Sequence, residues 1–322
     1  MDAPDFDYET NNSRRPAVRA GLVVIANPKA GGTSARRLAT AIETLRDLGH
    51  APAIWYTRGA GQGRPLAARA AREGAAVVVA AGGDGTIAEV VAGILDACPT
   101  PGPDRPAVGL IPLGTVNVLA RDIGLKPRVP RVAARVLDAG HRRLLRPARL
   151  NGRPFVAMAS TGIDSEVVRC VDGVLKHRAG AAAYLWALLS IVPRYAYPVI
   201  TATLERPDGS VEGLTGALVL VTRSRFYGGS LTVAPTAEIG APDLHVVVVH
   251  RPGAVALAGH GLGLLTGRFG RGPGVSLRTA RRVTVEAAGP LPVQADGDLA
   301  ETLPAAITLD VEDGLDLIAP MT

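Results

Sequence analysis

Val77-Val78-Val79-Ala80-Ala81 runs straight into Gly82-Gly83-Asp84-Gly85-Thr86, and Ile87 then opens an apolar-rich segment through Leu95. A β-branched run without polar alternation predicts a strand buried on both faces, and Ile87 to Leu95 has helical spacing. The same strand, loop, helix grammar surrounds it. Leu22-Val23-Val24-Ile25 leads through Asn27-Pro28-Lys29-Ala30-Gly31-Gly32-Thr33 to Leu38, Ile42 and Leu45 at helical intervals. Ala53 to Tyr56 precedes Leu66 to Arg72, and Ala107 to Ile111 precedes Val118 to Ile123. Alternating strands and helices predict a parallel sheet wound with helices.

Beyond residue 140 the grammar changes. His141 to Leu150, Pro154 to Ser160, Val199 to Glu205, Ala217 to Thr222, Leu244 to Val249, Arg282 to Ala287 and Ile307 to Val311 read as strands separated by Gly, Pro and Asp turns. Helical stretches interrupt them only at Ala179 to Ile191 and Ala254 to Leu265. The expected architecture is a polar tail over 1–19, an α/β domain over 20–140, and a mainly antiparallel β-sandwich over 141–322.

The chain has 322 residues, 47% apolar and 20% charged, enough for two domains and their cores. Thirty-five Lys and Arg against 29 Asp and Glu leave a net charge of +6, which suits a phosphate-bearing partner. Aromatic residues make up only 4%, too few for a single-strand nucleic-acid reader, and no nucleic acid is expected. Two cysteines, Cys98 and Cys170, cannot build a disulfide framework, so a cytoplasmic home is expected. No signal peptide is read at the polar, acidic start.

A parallel sheet binds ligands where its strands end and helices begin. Three loops occupy that position: Asn27 to Gly32, Gly82 to Thr86, and Pro112-Leu113-Gly114-Thr115-Val116-Asn117. Glycine lets the backbone approach phosphate closely, Lys29 adds charge, and Thr86 or Thr115 adds a hydroxyl. Neither a Walker P-loop nor a dinucleotide fingerprint is spelled. Any one such loop is also explained as a tight turn, and Asp84 equally as a helix cap.

The ordered set Asn27 to Gly32, Gly82-Gly83-Asp84-Gly85-Thr86, Pro112 to Asn117, Ser160-Thr161-Gly162-Ile163-Asp164 and Asp296-Gly297-Asp298 resembles the diacylglycerol kinase catalytic-domain family, particularly its bacterial soluble lipid kinases. The resemblance covers nearly everything after residue 20. It implies a cleft between the two domains, with the last part of the chain able to pack back on the first. It also implies that Asn27, Lys29 and Gly82 to Glu89 (Gly82, Gly83, Asp84, Gly85, Thr86, Glu89) contact ATP phosphates, with Thr57 and Thr115 nearby. The base is then expected near Leu113 and Gly114, in the loop that ends at Asn117.

Phosphoryl transfer to an alcohol needs a triphosphate cradle, Mg²⁺ and a carboxylate to take the proton. Asp84 is the expected metal-side acid, and by resemblance Asp296-Gly297-Asp298 supplies the acceptor. The family usually has Glu where Asp298 stands, so Asp296 and Asp298 both remain candidates. On the residues alone, Asp296-Gly297 reads as a hairpin turn. Relatives often hold a structural Mg²⁺ at an acidic turn of the second domain; this chain reads Ile239-Gly240-Ala241-Pro242-Asp243-Leu244, leaving Asp243 as the candidate ligand.

The resemblance implies a lipid substrate met at a membrane surface, hence peripheral association. Lys176-His177-Arg178 before Ala181 to Val192, with Arg194 after it, marks a helix suited either to an interface or to the core. Alternatives are a soluble-substrate kinase of the NAD kinase type and a nucleotide- or lipid-binding protein whose catalysis has decayed. Oligomeric state is left open, a homodimer included.

Overall fold

The computed structural model describes residues 21–27, 34–171, 181–251, 253–272 and 274–321, with backbone alone over 181–185. The polar tail, Lys29 and Lys176-His177-Arg178 lie outside the described residues.

The first half alternates strands and helices: β1 (Leu22–Ala26), α1 (Ser34–Asp47), β2 (Ala53–Tyr56), α2 (Gly63–Arg72), β3 (Val77–Gly82), α3 (Asp84–Ala97), β4 (Ala107–Pro112), α4 (Val118–Asp122) and α5 (Pro130–Ala139). Every residue of β1, β3 and β4 is buried, as a sheet covered on both faces requires. The helix α1 buries Leu38, Ala41, Ile42 and Leu45, the apolar stripe of its 3.6-residue period.

The stretch 141–150, expected as one strand, divides at Arg146-Pro147, since proline has no N–H to continue a ladder. It becomes β5 (Arg142–Leu145) and β6 (Ala148–Leu150), and these belong to different sheets. There follow β7 (Arg153–Phe155), β8 (Met158–Gly162), α6 (Ile163–Cys170), α7 (Ala181–Ile191), β9 (Ile200–Glu205), β10 (Val211–Gly216), β11 (Leu218–Thr222), β12 (Phe226–Tyr227), β13 (Leu231–Thr232), β14 (Leu244–Val249) and α8 (Ala254–Leu265). The chain closes with β15 (Val275–Ala280), β16 (Arg282–Ala287), β17 (Pro292–Ala295), β18 (Asp298–Thr302), β19 (Ala305–Thr308) and β20 (Leu315–Ile318).

Three six-stranded sheets result. The first runs β2-β1-β3-β4-β20-β5 and is parallel from β2 through β20, with β5 antiparallel at its edge. The last strand therefore returns to the first sheet. Arg105 holds it there, donating to Gly314 O at 2.9 Å beside the buried Asp313. The other two sheets, β10-β9-β16-β19-β6-β7 and β15-β14-β11-β8-β17-β18, are antiparallel and form a β-sandwich. Between them lie Leu150, Phe155, Leu204, Val221, Val246, Val283 and Ile307. Along β9, Ile200, Ala202 and Leu204 are buried while Thr201 and Glu205 are exposed, the two-residue period of a sheet with one wet face.

Candidate active site

The glycine loops after β3 and β4 touch. The N–H groups of Leu113 and Gly114 both donate to Gly82 O, at 2.8 and 3.1 Å. A Cβ on Gly114 would lie 2.6 Å from Gly83 Cα and 2.8 Å from Asn117 Oδ1, so a side chain there would force the loops apart. Asn117 takes the left-handed conformation (φ 51°) that turns this loop into α4, and its Nδ2 donates to Gly114 O at 2.6 Å. Left-handed backbone favours Gly and Asn, which explains the residue type.

Asp84 is the first residue of α3, but its carboxylate serves a different helix. It accepts the N–H groups of Val118 and Leu119, at 3.0 and 3.2 Å, across the seam in the first turn of α4. Those donors have no partner within α4, so Asp84 caps it from outside. Burial pushes the Asp84 carboxyl above its ordinary value, against these backbone bonds.

Asn27 and Thr57 lie along the same sheet end, their N–H groups donating to Ala81 O and Ala26 O at 3.0 and 2.9 Å. Thr86 is buried and Thr115 exposed. A cavity of about 270 Å³ opens beside Asn27 and Leu113, with Ile42, Ile54 and Tyr56 among its walls. Glu89, expected at the phosphates, accepts the N–H groups of Gly61 and Gly63 at 2.7 and 2.6 Å. Its carboxylate clamps the β2–α2 loop to α3.

The second half delivers the remaining acids on the β17–β18 hairpin. Ala295 pairs with Asp298, and between them Asp296 and Gly297 both carry positive φ (50° and 84°), the mark of a type I′ turn. Asp296 accepts three backbone N–H groups, from Val156 at 2.8 Å, Ala157 at 2.8 Å and Met158 at 3.1 Å. Burial, with a smaller contribution from the Asp84 charge, pushes its carboxyl up to about 7 in spite of those bonds. Asp298 is exposed, and its Oδ2 stands 3.0 Å from the position a Cβ on Gly85 would occupy. Asp298 of one half thus stands beside the Gly82–Thr86 loop of the other.

Beneath the hairpin is a polar network of which the sequence showed only part. Gln294 Oε1 accepts the Gly297 N–H at 2.9 Å, while its Nε2 donates to Ser160 Oγ at 2.7 Å and Asp164 Oδ2 at 3.2 Å. The hydroxyls of Ser160 and Tyr227 also donate to Asp164. Ser160 and Asp164 stand in a quoted motif; Gln294 and Tyr227 were missed. A glutamine between Val293 and Ala295 in a strand was the available signal.

In the turn around Asp243, the backbone carbonyls are already taken by an arginine. The inward carbonyls, those of Ile239, Ala241 and Asp243, accept hydrogen bonds from the Arg223 guanidinium, as does that of Arg146. Arg223 is fully buried, and burial pushes its pKa down to about 10, still protonated at neutral pH. A guanidinium with five donors holds the carbonyl cluster where a cation would otherwise stand. Among the described residues no three His, Cys, Asp or Glu side chains group as a metal site. At Asp84 the donor set differs: it is a carboxylate beside the glycine loops, of the kind Mg²⁺ takes one or two of alongside phosphates.

An α/β sheet with glycine loops at its strand ends, joined to an acid-bearing β-sandwich, is the class of protein these observations define. Residues 21–149 match the family model described as the diacylglycerol kinase catalytic domain, and residues 157–316 match that of the YegS C-terminal NAD kinase beta sandwich-like domain. The chain belongs to the diacylglycerol kinase catalytic-domain family of lipid kinases. A probable lipid kinase YegS-like from Chromohalobacter salexigens is 31% identical over 65% of this chain and 65% of its own length. A diacylglycerol kinase from Staphylococcus aureus is 28% identical over 92% of this chain and 91% of its own. The fold is shared with a putative diacylglycerol kinase from Bacillus anthracis at a TM-score of 0.77 and 21% identity, covering 97% of this chain and 98% of that one.

Proposed function

We propose that this protein is an ATP- and Mg²⁺-dependent kinase that transfers the γ-phosphate to a hydroxyl of diacylglycerol or a related lipid. The observation that carries the reading is the approach of Asp298 Oδ2 to the Gly85 backbone, an acid from one half beside the phosphate loop of the other. Asp298 takes the hydroxyl proton as the lipid oxygen bonds to the γ-phosphorus. The bond between that phosphorus and the β–γ bridging oxygen breaks, and ADP leaves with the electron pair. Of the two acids on the hairpin, Asp296 is the anchor, because its oxygens already hold three N–H groups. The backbone of Gly82 to Gly85 and Gly114, with Asn27, Thr57, Thr86, Thr115 and Asn117, surrounds the triphosphate, and Lys29 adds its charge. Mg²⁺ held by Asp84, directly or through water, would neutralise the phosphate charge. The cavity beside Asn27 and Leu113 takes the base.

A lipid substrate is supported by the relatives' names and by Trp186 and Leu189, apolar side chains exposed on α7. No helix among the described residues is long and apolar enough to cross a membrane, so a lipid would be met at the surface. The test is incubation of the purified protein with Mg²⁺, labelled ATP and a total lipid extract. A labelled phospholipid is expected. Labelling of no lipid by protein that binds ATP would overturn the reading; phosphate transfer to NAD in detergent-free buffer would establish the soluble-kinase alternative.

A further inference from the structure

The helix α8 reads Ala254-Val255-Ala256-Leu257-Ala258-Gly259-His260-Gly261-Leu262-Gly263-Leu264-Leu265, without Asp, Glu, Lys or Arg, and not one of its residues is buried. A helix apolar on all sides belongs in a core or against lipid. Val255, Leu262 and Leu265 are 88%, 63% and 76% exposed, and Ala258 is exposed with them. Their three- and four-residue steps place the four on a single outward stripe. The opposite side attaches the helix: Leu264 packs in the cluster of Phe269, Leu277, Val118, Met158 and Tyr227, and His260 meets Phe269 edge-on. Tyr227 is also the donor to Asp164 beneath the catalytic hairpin. The apolar stripe is thus fixed to the cluster that contains Tyr227.

Charge selects the occupant. Between Asp243 and Glu286 the chain has six arginines and no Asp or Glu. Arg278, Arg281 and Arg282 face Glu212, Asp243 and Glu205. Arg251, Arg268 and Arg271, which flank α8, are exposed and enter no ion pair among the described residues. We propose that α8 docks this protein on an anionic bilayer, its Val255, Ala258, Leu262 and Leu265 stripe entering the acyl boundary while Arg251, Arg268 and Arg271 meet lipid phosphates. Twelve residues span about 18 Å, too short to cross a bilayer, so the helix lies flat. A second copy seated symmetrically on this face would bring arginine toward arginine, which disfavours self-association.

The purpose of this docking rests on the lipid-kinase reading; its test does not. Without nucleotide, the full chain is sedimented with vesicles of phosphatidylcholine alone or mixed with phosphatidylglycerol. Wild-type protein is expected on the mixed vesicles, more weakly at high salt. L262E/L265E should reduce that partition by at least about tenfold, and R268E/R271E should remove the preference for phosphatidylglycerol. Thermal unfolding and turnover of a short-chain, monomerically dispersed diacylglycerol should stay unchanged. R268E/R271E alters only exposed residues and keeps the test decisive if the apolar variant fails to fold. Vesicle binding unaffected by both variants would overturn the proposal, as would a dimer in the wild type that L262E/L265E converts to monomer while vesicle binding persists. Failure to phosphorylate any lipid, with vesicle binding intact and lost in the variants, would sink the kinase reading alone.

Discussion

Asp298 Oδ2 and Gly85 are neighbours, 3.0 Å separating the carboxylate oxygen from the point where a Gly85 Cβ would stand. Two consequences follow for turnover. Asp298→Asn keeps the shape of the hairpin and removes the proposed proton acceptor, so kcat should fall by about 10²–10⁴ while ATP affinity stays near wild type. Asp298→Glu restores a carboxylate and should recover much of the rate; equal loss in both variants would assign the proton to another group. Gly85→Ala places a methyl against Oδ2 and should lower kcat with little change in unfolding temperature. Steady-state kinetics with parallel nucleotide binding separate these outcomes.

The Asp84 cap joins the two glycine loops. Removing both acceptors in Asp84→Ala leaves the Val118 and Leu119 N–H groups without their partner, costing about 1–3 kcal/mol in urea denaturation. Gly114→Ala attacks the same seam by steric means, since its Cβ would lie 2.6 Å from Gly83 Cα. It should weaken ATP binding as well as stability. An undisturbed nucleotide affinity would show that the seam does not shape the cradle.

Asp296 links stability to pH in an unusual direction. Its carboxyl is pushed up to about 7 in the folded protein, so the folded chain retains a proton that the unfolded chain releases at its ordinary lower value. The associated stability is complete below the unfolded value and declines as pH rises toward about 7. The unfolding temperature of Asp296→Asn should therefore show a shallower decline than wild type between about pH 4 and about pH 7. Parallel profiles would show that Asp296 is ionised in the fold.

Arg223 is the structural cation of the second half. Arg223→Met leaves the carbonyls of Arg146, Ile239, Ala241 and Asp243 without their donor and should destabilise by about 3–5 kcal/mol. Wild-type unfolding should be insensitive to EDTA. A marked EDTA-induced fall would place a metal in this turn after all.

The parallel sheet was legible because burial on both faces leaves an unmistakable local mark, five apolar residues before Gly82. The β-sandwich was legible from short strands set between Gly, Pro and Asp turns such as Pro207-Asp208-Gly209. By contrast, α5 went unread, although Val129-Pro130 opens it with proline at its first position. The break at Pro147 was missed because a strand pattern continues on either side of it, in two different sheets.

Local order supplied the motifs: which loops are glycine-rich, which acids stand beside them, and that Asp296-Gly297 must turn. Position came from contacts between residues far apart in the chain. The identity of Asp84 says nothing of Val118 and Leu119, whose unpaired N–H groups come near only when β3 and β4 lie side by side. Nor does Asp-Gly-Asp declare which acid is an anchor; that depends on three donors at Val156 to Met158 meeting Asp296 and leaving Asp298 beside the Gly82–Thr86 loop. Patterning is set by the few residues within one helical turn or pleat, whereas charge, burial and hydrogen-bond partnership are set by whatever the closed fold brings within about 3 Å.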